Sequence, residues 1–350
     1  MFKTKNLYLK DIEMESTKQV IGIDVSKDKL AISIYNGSKH TSFEIGNDIK
    51  AIDKELIKKL DKGLDIKSEV LFVMEATGVY HLKIASHLAT TLDFKVGVVN
   101  PLTINRYMQM NLSRCKSDKA DSKLIAEYGY QYSKDITLYV PKGEIETQIE
   151  NILRAIDDFN NQLTVVKNQL HAISFVPNAS KKVIKSYMNL IEYIDNQIDS
   201  LKKELEDITK DNFKDDIDLL KSIPGVGNTL ASIVIGFFGG FKNFNKAKEA
   251  ISYIGLNPSV YQSGTSVKGK GSISKKGNPY IRKILYVCAW SAMTHNKQCK
   301  ELYERLKAKG KNGKVAIIAV ASKLLRQAFG VLKSGVVYNE NYVANINKQK

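Results

Sequence analysis

The 350-residue chain has little cysteine, with only three such residues. Cys115, Cys288 and Cys299 form no CxxC pair, so the sequence predicts neither a disulfide framework nor a zinc site. Long apolar runs are also missing, since the longest, near residues 231–241, is far short of the ~20 residues that a membrane span needs. The first residues mix charges in a way untypical of a secretory signal. These absences predict a reduced, cytoplasmic bacterial protein without a membrane partner.

Acidic residues are scarce in the last third of the chain. The formal net charge is +16, yet residues 221–350 hold 22 Lys and Arg against four acidic residues, while the remainder is close to neutral. Residues 260–283, VYQSGTSVKGKGSISKKGNPYIRK, contain no Asp or Glu at all. This asymmetry predicts a polyanion-binding domain, with nucleic acid ahead of an anionic membrane. The alternative is a basic face that is merely solvated.

The N-terminal third alternates strand and helix patterns. The segment KQVIGIDVSKDKLAISIYNGSKHTSFEIGN predicts a three-stranded meander, and SEVLFVMEATG and FKVGVVNP predict two further buried strands. Helices are predicted near residues 49–60 and 79–90, and a third begins after Ser117 as its N-cap. Strands followed by helices predict a mixed α/β sheet covered on both faces.

Apolar residues in the middle of the chain follow two heptad seams. The first seam steps by four and three from Ile145 to Ile173, and the second runs in the same way from Ile184 to Ile208. Pro177 lies between them. Such spacing predicts an antiparallel coiled-coil hairpin with arms of roughly 40 Å, either self-packed or joining protomers.

The C-terminal part reads as mainly helical. In LLKSIPGVGNTLASIVIG, the turn Pro224-Gly225-Val226-Gly227 separates two apolar helical segments. This is typical of a helix-hairpin-helix, which makes Gly225 and Gly227 candidate phosphate contacts, although a plain αα turn has the same pattern. Two further helices are predicted in NPYIRKILYVCAWSAMT and KVAIIAVASKLLRQAFGVL.

Four acidic residues are candidate metal ligands. Asp24 interrupts the apolar strand IGIDVS, Glu75 ends LFVME, and Asp118 and Asp121 lie three apart in a predicted helix. Each alone could form a cap or an ion pair, but four carboxylates at one point would repel unless a cation neutralised them. Mg²⁺, or Mn²⁺, suits such a set, and two ions ~3.5–4 Å apart clamp a phosphodiester. The order of these acids matches a ribonuclease-H-like layout.

Several motifs together carry a family resemblance. IGIDVSKDKLAISIY, MEATGVYH, VNPLTINRYMQ and CKSDKADSKLIAEY resemble the RuvC-like domain of the DEDD transposases of the insertion-sequence 110 family. SIPGVGNTLASIVIG, the segment from AISYIGLNP to YIRKILY, and VLKSG resemble that family's C-terminal transposase domain. The resemblance implies a RuvC-like catalytic domain at 18–143, a dimerisation hairpin at 144–212 and a transposase domain at 216–336, with tails at 1–17 and 337–350.

The resemblance also implies roles for particular residues. It places the family's four acids on Asp24, Glu75, Asp118 and Asp121, and its essential serine on Ser263. By this resemblance, Ser263 would attack DNA and form a covalent 5′-phosphoserine link. Composition alone does not distinguish Ser263 from the neighbouring serines, or from Tyr261 as a rival nucleophile. The nearby basic residues would neutralise phosphates; they are Lys268, Lys270, Lys275, Lys276, Arg282 and Lys283.

Partners follow from the same resemblance. It implies donor and target DNA, a structured guide RNA that pairs with both, and a homo-oligomer, either dimer or tetramer. Three other functions remain open from the residues themselves. They are a RuvC-like structure-specific nuclease that uses only metal-activated water, an actin-like kinase, and a nucleic-acid scaffold with a decayed site.

Overall fold

The computed structural model describes residues 17–60, 63–76, 78–111, 117–259 and 272–341, and the backbone of the pairs 262–263 and 267–268. The chain divides into two compact units, Met1–Pro141 and Lys142–Lys350. The side chains of Ser263 and Lys268, and the whole of Lys270, lie outside the described residues.

The first unit is built on a five-stranded sheet of order β3-β2-β1-β4-β5. Its strands are β1 Gln19–Val25, β2 Lys29–Tyr35, β3 His40–Gly46, β4 Val70–Glu75 and β5 Lys95–Val99. The first three form the predicted antiparallel meander, and β4 and β5 add in parallel to β1. The carboxyl ends of β1, β4 and β5 therefore meet at one edge of the sheet.

Helices cover both faces of this sheet, as predicted. One face packs against two helical segments. The first is α1 Ile49–Ala51, which continues as the π-helix Ile52–Leu56 and the 3₁₀ turn Ile57–Lys59. The second is α3 Leu82–Ser86, which continues as the π-helix His87–Thr91. A short helix α2, Ile66–Glu69, precedes β4. The other face packs against α4 Pro101–Met110 and α5 Asp118–Gln131. The helix predicted from residue 79 begins three residues later, because Gly78 adopts φ 55° and residues 78–81 form a turn.

Two long antiparallel helices open the second unit. They are α6 Glu144–Ile173 and α7 Lys181–Lys221, joined by a short segment that contains Pro177. The predicted seam positions are buried or half-buried, and most of them belong to one apolar cluster. Helix α7 extends beyond the predicted end at 212, with a kink at Phe213 where φ is −139° and ψ is 30°. Supercoiling of the pair and its use in dimerisation stay predictions.

The rest of the second unit is mostly helical. The helices are α8 Asn228–Phe238 with a 3₁₀ turn Gly239–Phe241, α9 Ala247–Tyr253, α10 Pro279–His295, α11 Lys297–Ala308 and α12 Gly313–Ser334. Between α9 and α10 the chain forms short strands: β6 Pro258–Ser259, β7 Gln262–Ser263, β8 Val267–Lys268 and β9 Ser272–Ile273. Strand β6 pairs with β9, and β7 with β8, both antiparallel.

One apolar cluster spans the whole second unit. Ile149 and Leu153 of α6 and Leu220 of α7 belong to the same cluster as Leu230 of α8 and Ile317 of α12. The base of the hairpin and the C-terminal helices thus share a core. Separate hairpin and transposase domains at 144–212 and 216–336 remain a prediction.

Helix α12 is the one described helix long and apolar enough to cross a membrane by length and composition. Its apolar side chains have another role, since Ile317, Val320, Leu324 and Leu325 are buried in the shared core of the second unit. Packing within the protein therefore accounts for this helix's composition.

Candidate active site

Asp24 and Glu75 lie at the carboxyl ends of two neighbouring parallel strands. The register pairs Ile23 of β1 with Met74 of β4, so the next residue on each strand is a carboxylic acid. Both side chains are half-buried. Open α/β sheets bind their ligands outside the carboxyl ends of the strands, which makes this edge the expected place for a site.

Gly22 determines how closely helix α5 approaches this edge. A Cβ atom at Gly22 would lie 2.3 Å from the carbonyl oxygen of Ser122 and 2.4 Å from the amide nitrogen of Ala126. No side chain fits between strand and helix there. Residues two apart on a strand face the same side, so Asp24 projects from the α5 face of the sheet. Gly22 therefore brings the first turn of α5 towards Asp24.

The first turn of α5 supplies the other two acids. Ser117 caps the helix, since its side chain accepts a hydrogen bond from the amide of Ala120 at 3.2 Å. Asp118 is exposed and Asp121 is half-buried, both within that turn. Negative side chains are stabilised at a helix N-terminus, which offsets part of the cost of placing two acids there. The predicted N-cap at Ser117 is confirmed.

Electrostatic repulsion couples Asp24 to the other three acids. The pKa of Asp24 is raised to about 6, first by burial of its carboxyl and then by the carboxylates of Asp118, Asp121 and Glu75. A backbone hydrogen bond at Val25 acts in the opposite direction. Such repulsion falls off with distance, so Asp118, Asp121 and Glu75 each lie within electrostatic range of Asp24.

The donor set fits a hard divalent cation in chemistry and in charge. Carboxylate oxygens are the ligands that Mg²⁺ and Mn²⁺ prefer, and a cation placed among coupled carboxylates relieves their repulsion. Within the described part of the chain, no three Asp, Glu, His or Cys side chains stand close enough to hold one metal ion together. The four acids are thus neighbours that surround the strand ends rather than a closed coordination shell.

Ser263 belongs to the second unit. Its backbone ends strand β7 and pairs with Val267 of β8, so the serine lies directly before the connection between these two strands. The described positions between residues 258 and 273 therefore form a nested pair of short antiparallel ladders.

The basic residues around the serine differ in their surroundings. Lys275 and Lys276 are exposed. Arg282 instead donates from Nη1 to the carbonyl oxygens of Ile254 and Gly277, at 2.8 and 2.9 Å, and so ties the base of the loop together. Lys283 forms an ion pair of 3.1 Å with Asp157. Contacts of these four residues with nucleic acid stay predictions.

The glycine turn before α8 packs tightly against α10. Gly225 has φ 99°, and a Cβ there would lie 2.6 Å from the Cβ of Ala292. The carbonyl oxygen of Pro224 accepts a hydrogen bond of 3.3 Å from Nδ2 of the buried Asn296. Gly227 is exposed and extended, and it immediately precedes α8. Gly225 thus has a structural role in the packing, and phosphate binding by Gly225 and Gly227 remains a prediction.

A hydrogen-bonded Ser–His–Glu chain was missed by the sequence analysis. Nδ1 of His40 lies 2.9 Å from Oγ of Ser33, and its Nε2 lies 3.0 Å from Oε1 of Glu127. Ser33 has no exposed surface, so a substrate does not reach its hydroxyl. This series of hydrogen bonds joins β2 and β3 to α5, and its role is structural. Only the antiparallel pairing of Tyr35 with His40 puts the histidine beside this strand, which explains why sequence spacing gave no signal.

A mixed sheet of this order, with acids at its carboxyl edge, is typical of ribonuclease-H-like enzymes that act on nucleic-acid phosphodiesters. Comparison with known families agrees. A DEDD transposase model of the IS110 type, described as "Transposase", matches residues 21–173, and the model described as "Transposase IS116/IS110/IS902 family" matches residues 217–304.

Individual relatives give the same result. The pilin gene-inverting protein of Moraxella lacunata is 30% identical over 268 residues, which cover 76% of this chain and 81% of that protein. The transposase for insertion sequence element IS1328 of Yersinia enterocolitica is 24% identical, with 92% of this chain and 98% of that protein covered. The transposase for insertion sequence element IS1111A of Coxiella burnetii is also 24% identical, with 92% and 90% covered.

The chain belongs to the IS110 family of transposases. It is a DNA transposase or recombinase, its substrates are DNA, and its DEDD domain implies a ribonuclease-H-like fold and dependence on divalent metal.

Proposed function

We propose that this transposase cuts and rejoins DNA through a covalent 5′-phosphoserine intermediate on Ser263, with Mg²⁺ held by Asp24, Glu75, Asp118 and Asp121. The observation that carries the proposal is geometric: Asp24 and Glu75 lie at the carboxyl ends of neighbouring parallel strands, and Gly22 lets α5, whose first turn holds Asp118 and Asp121, pack closely beside them. Family membership and the position of Ser263 within the basic, glycine-containing segment support the second part.

The proposed chemistry exchanges one phosphate ester for another. Oγ of Ser263 forms a bond to the DNA phosphorus, the bond from phosphorus to the 3′-oxygen breaks, and that oxygen leaves as a 3′-hydroxyl with the proton. A 3′-hydroxyl of another strand then attacks the phosphoserine and restores the serine hydroxyl. Because the ester is conserved at each step, strands reseal without ATP. The bound cation, when present, stabilises negative charge that develops on the phosphate oxygens.

Basic residues of the second unit would hold the DNA strands. Residues 221–350 carry an excess of eighteen positive charges, and Lys275 and Lys276 are exposed beside the serine segment. Lys268 and Lys270 complete the basic run in sequence, and the amides near Gly227 at the start of α8 offer a further phosphate contact.

We further propose a structured guide RNA that pairs with donor and target DNA. The charge excess of residues 221–350 supports a second polyanion, and the RNA would supply sequence recognition by base pairing. Purification of the protein with and without ribonuclease treatment tests this. Loss of a bound, element-encoded RNA together with loss of target cutting is expected, and unchanged target choice without RNA would contradict the proposal.

The hairpin offers a surface for homo-oligomers. An apolar groove of about 450 Å³ lies between α6 and α7, and Phe159, Val165, Leu190 and Tyr193 line it. We propose that this groove contributes to a dimer or tetramer in the bacterial cytoplasm, associated with the nucleoid during transposition. Val165→Asp should shift the mass measured by light scattering to the monomer, whereas an unchanged mass would exclude this surface.

The first test of the serine mechanism uses the native flanking DNA of the element. Cells or extracts with wild-type protein should yield SDS-resistant protein–DNA adducts, and mass spectrometry should find the nucleotide on Ser263. Ser263→Ala and Asp24→Ala should both abolish the adduct. Ser259→Ala is the matched control, since it removes an exposed hydroxyl from the same segment and should leave the adduct intact.

The alternative, a nuclease with metal-activated water, gives a different outcome. It predicts DNA cleavage without an adduct, and cleavage that survives Ser263→Ala but not Asp24→Ala. A nucleotide on Tyr261 instead, absent from Tyr261→Phe, would assign the nucleophile to the tyrosine.

A further inference from the structure

The tip of the α6–α7 hairpin carries exposed apolar side chains. Phe175 is 74% exposed and Val176 is 54% exposed, and both lie in the short connection that contains Pro177. Hydrogen bonds order this connection, since the amide of Val176 donates to the carbonyl oxygen of Ile173 at 3.0 Å. The ring of His171 stands edge-on to the ring of Phe175, with centroids 5.0 Å apart. Large apolar side chains at the far end of a hairpin add nothing to its core, so they indicate an interaction surface.

Charge is distributed unevenly along the hairpin. Residues 159–191, which form its distal part, contain four lysines and no Asp or Glu. The rest of the hairpin, residues 144–158 and 192–221, contains fifteen Asp and Glu against six Lys and Arg. The tip therefore attracts a polyanion, whereas the acidic base of the same hairpin repels it. A polyanion that binds the hairpin is thus confined to the tip.

Three lysines beside the apolar residues are available for such a contact. These tip lysines, Lys181, Lys182 and Lys185, are exposed, and none of them forms an ion pair with another described residue. The fourth lysine, Lys167, lies 3.7 Å from a carboxylate oxygen of Asp195. Lys181 and Lys182 are the first two residues of α7, whose first turn contains no acid. Positive side chains there oppose the helix dipole, so an anionic partner, rather than the stability of the helix, accounts for their position.

Duplex DNA matches the two properties of the tip together. Its phosphates attract lysine, and proteins that insert Phe or another apolar side chain between two base steps kink the duplex by about 20–90°. DNA is also the substrate class of this family. Double-stranded RNA is recognised through its shape, phosphates and 2′-hydroxyl groups, which leave no role for an apolar tip. The basic tips of two copies of the chain would repel one another.

We propose that the hairpin tip is a DNA-bending wedge, in which Phe175 inserts between two base pairs of duplex DNA and the tip lysines hold the flanking phosphates. About 35 Å of α6 separates the end of that helix at Ile173 from Ile149, where α6 packs against α8. The hairpin is therefore long enough to contact DNA beyond the core of the second unit. The proposal rests on DNA as the substrate class and not on Ser263 as nucleophile.

Energy transfer between the two ends of a short labelled duplex measures the bend. Full-length protein is titrated in EDTA, so that divalent metal is absent and the duplex stays intact. Wild-type protein should raise the transfer efficiency at saturation, and Phe175→Ala should abolish most of the rise. Phe175→Leu should keep it, because leucine also serves as a wedge. Val287→Ala, which shortens an exposed apolar side chain on α10, is the matched control and should change nothing.

Affinity for a pre-kinked duplex tests the wedge independently. A duplex with a mismatched step is already easier to bend, so part of the cost of deformation is removed before the protein binds. Wild-type protein should bind it about 5-fold or more tightly than the perfect duplex, and Phe175→Ala should lose this preference. Phe175 is exposed, so this substitution should leave folding unchanged.

The salt dependence of binding tests the tip lysines. Replacement of all three by glutamine should weaken duplex binding and reduce the slope of log K against log salt by about one for each lysine. Phe175→Ala removes no charge and should leave the slope as it is. Lys202→Gln combined with Lys203→Gln, in the acidic part of the hairpin, is the control and should also leave the slope unchanged.

Several results would overturn the proposal. An equal rise in energy transfer with wild type and Phe175→Ala would exclude the wedge, and an unchanged slope after replacement of the tip lysines would exclude their phosphate contacts. If Phe175→Ala weakens binding of RNA, or of phosphatidylserine vesicles, while DNA bending is unchanged, the tip belongs to that partner instead. A fall in mass by light scattering would assign it to a second copy. Normal adducts without a Phe175-dependent bend refute the wedge alone, whereas such a bend without adducts refutes the serine mechanism alone.

Discussion

Replacement of Asp24 by Asn is expected to stabilise the protein at neutral pH in EDTA. Burial and the neighbouring acids raise the pKa of Asp24 from 3.8 to about 6, so the folded state disfavours the charged carboxylate. For a fully buried carboxyl, a pKa increase of this size lowers the free energy of unfolding at neutral pH by about 3 kcal/mol. The carboxyl is only half-buried, and screening by water reduces the expected gain for Asp24→Asn to about 1–2 kcal/mol.

The sign of the pH dependence follows from the raised pKa. Below the pKa that Asp24 has in the unfolded chain, its carboxyl is protonated in both the folded and the unfolded state. There the carboxyl does not lower the free energy of unfolding. As the pH rises from about 4 to about 6, the Asp24 carboxyl ionises in the unfolded chain but stays largely protonated in the folded chain. The free energy of unfolding of the wild type therefore falls over this window. The side chain of asparagine does not titrate in this pH range. The stability difference between Asp24→Asn and wild type should therefore grow over the same window and then level off.

Urea denaturation across this pH range measures the effect, with Asp28→Asn as the control for loss of an exposed acid in the same unit. Added Mg²⁺ or Mn²⁺ should reverse the ranking, since it stabilises wild type by neutralising the four acids and stabilises Asp24→Asn much less. Equal stability of wild type and Asp24→Asn at all pH values would refute the coupled site. A stabilisation by Mg²⁺ that is the same in both proteins would refute metal binding at Asp24.

Substitutions at three further positions test the surrounding structure. Gly22→Ala should destabilise the first unit by about 1–3 kcal/mol and reduce metal-dependent activity, because its Cβ meets the backbone of α5; thermal melts and cleavage assays check both. His40→Ala should cost about 1–3 kcal/mol by leaving Glu127 and buried Ser33 without their partner, yet DNA adducts should still form on the folded fraction. Asn296→Ala should cost about 1–3 kcal/mol in urea melts because it removes the cap of α11 and a contact to the glycine turn. Asn296→Asp should restore the cap but not the hydrogen bond that Nδ2 donates to the glycine turn.

Much of the fold was predictable because local patterns control local structure. Period-two alternation and apolar runs in residues 19–46 predict the meander, and the four–three spacing of apolar residues predicts the two long helices. Ser117 was recognisable as an N-cap because capping depends on residues within one helical turn. The charge excess of the last third is likewise a property of composition, independent of packing.

The tertiary structure decided which distant residues meet. Asp24 and Asp118 are far apart in sequence, and only the fit of α5 against Gly22 makes their carboxylates neighbours. Sequence indicates that Arg282 is basic, but only packing shows that its guanidinium is bound to two carbonyl oxygens of the loop base. The sequence by itself therefore determined the elements and their charge. Packing decided which charges couple and which are bound within the protein, because both depend on distances that local patterns do not encode.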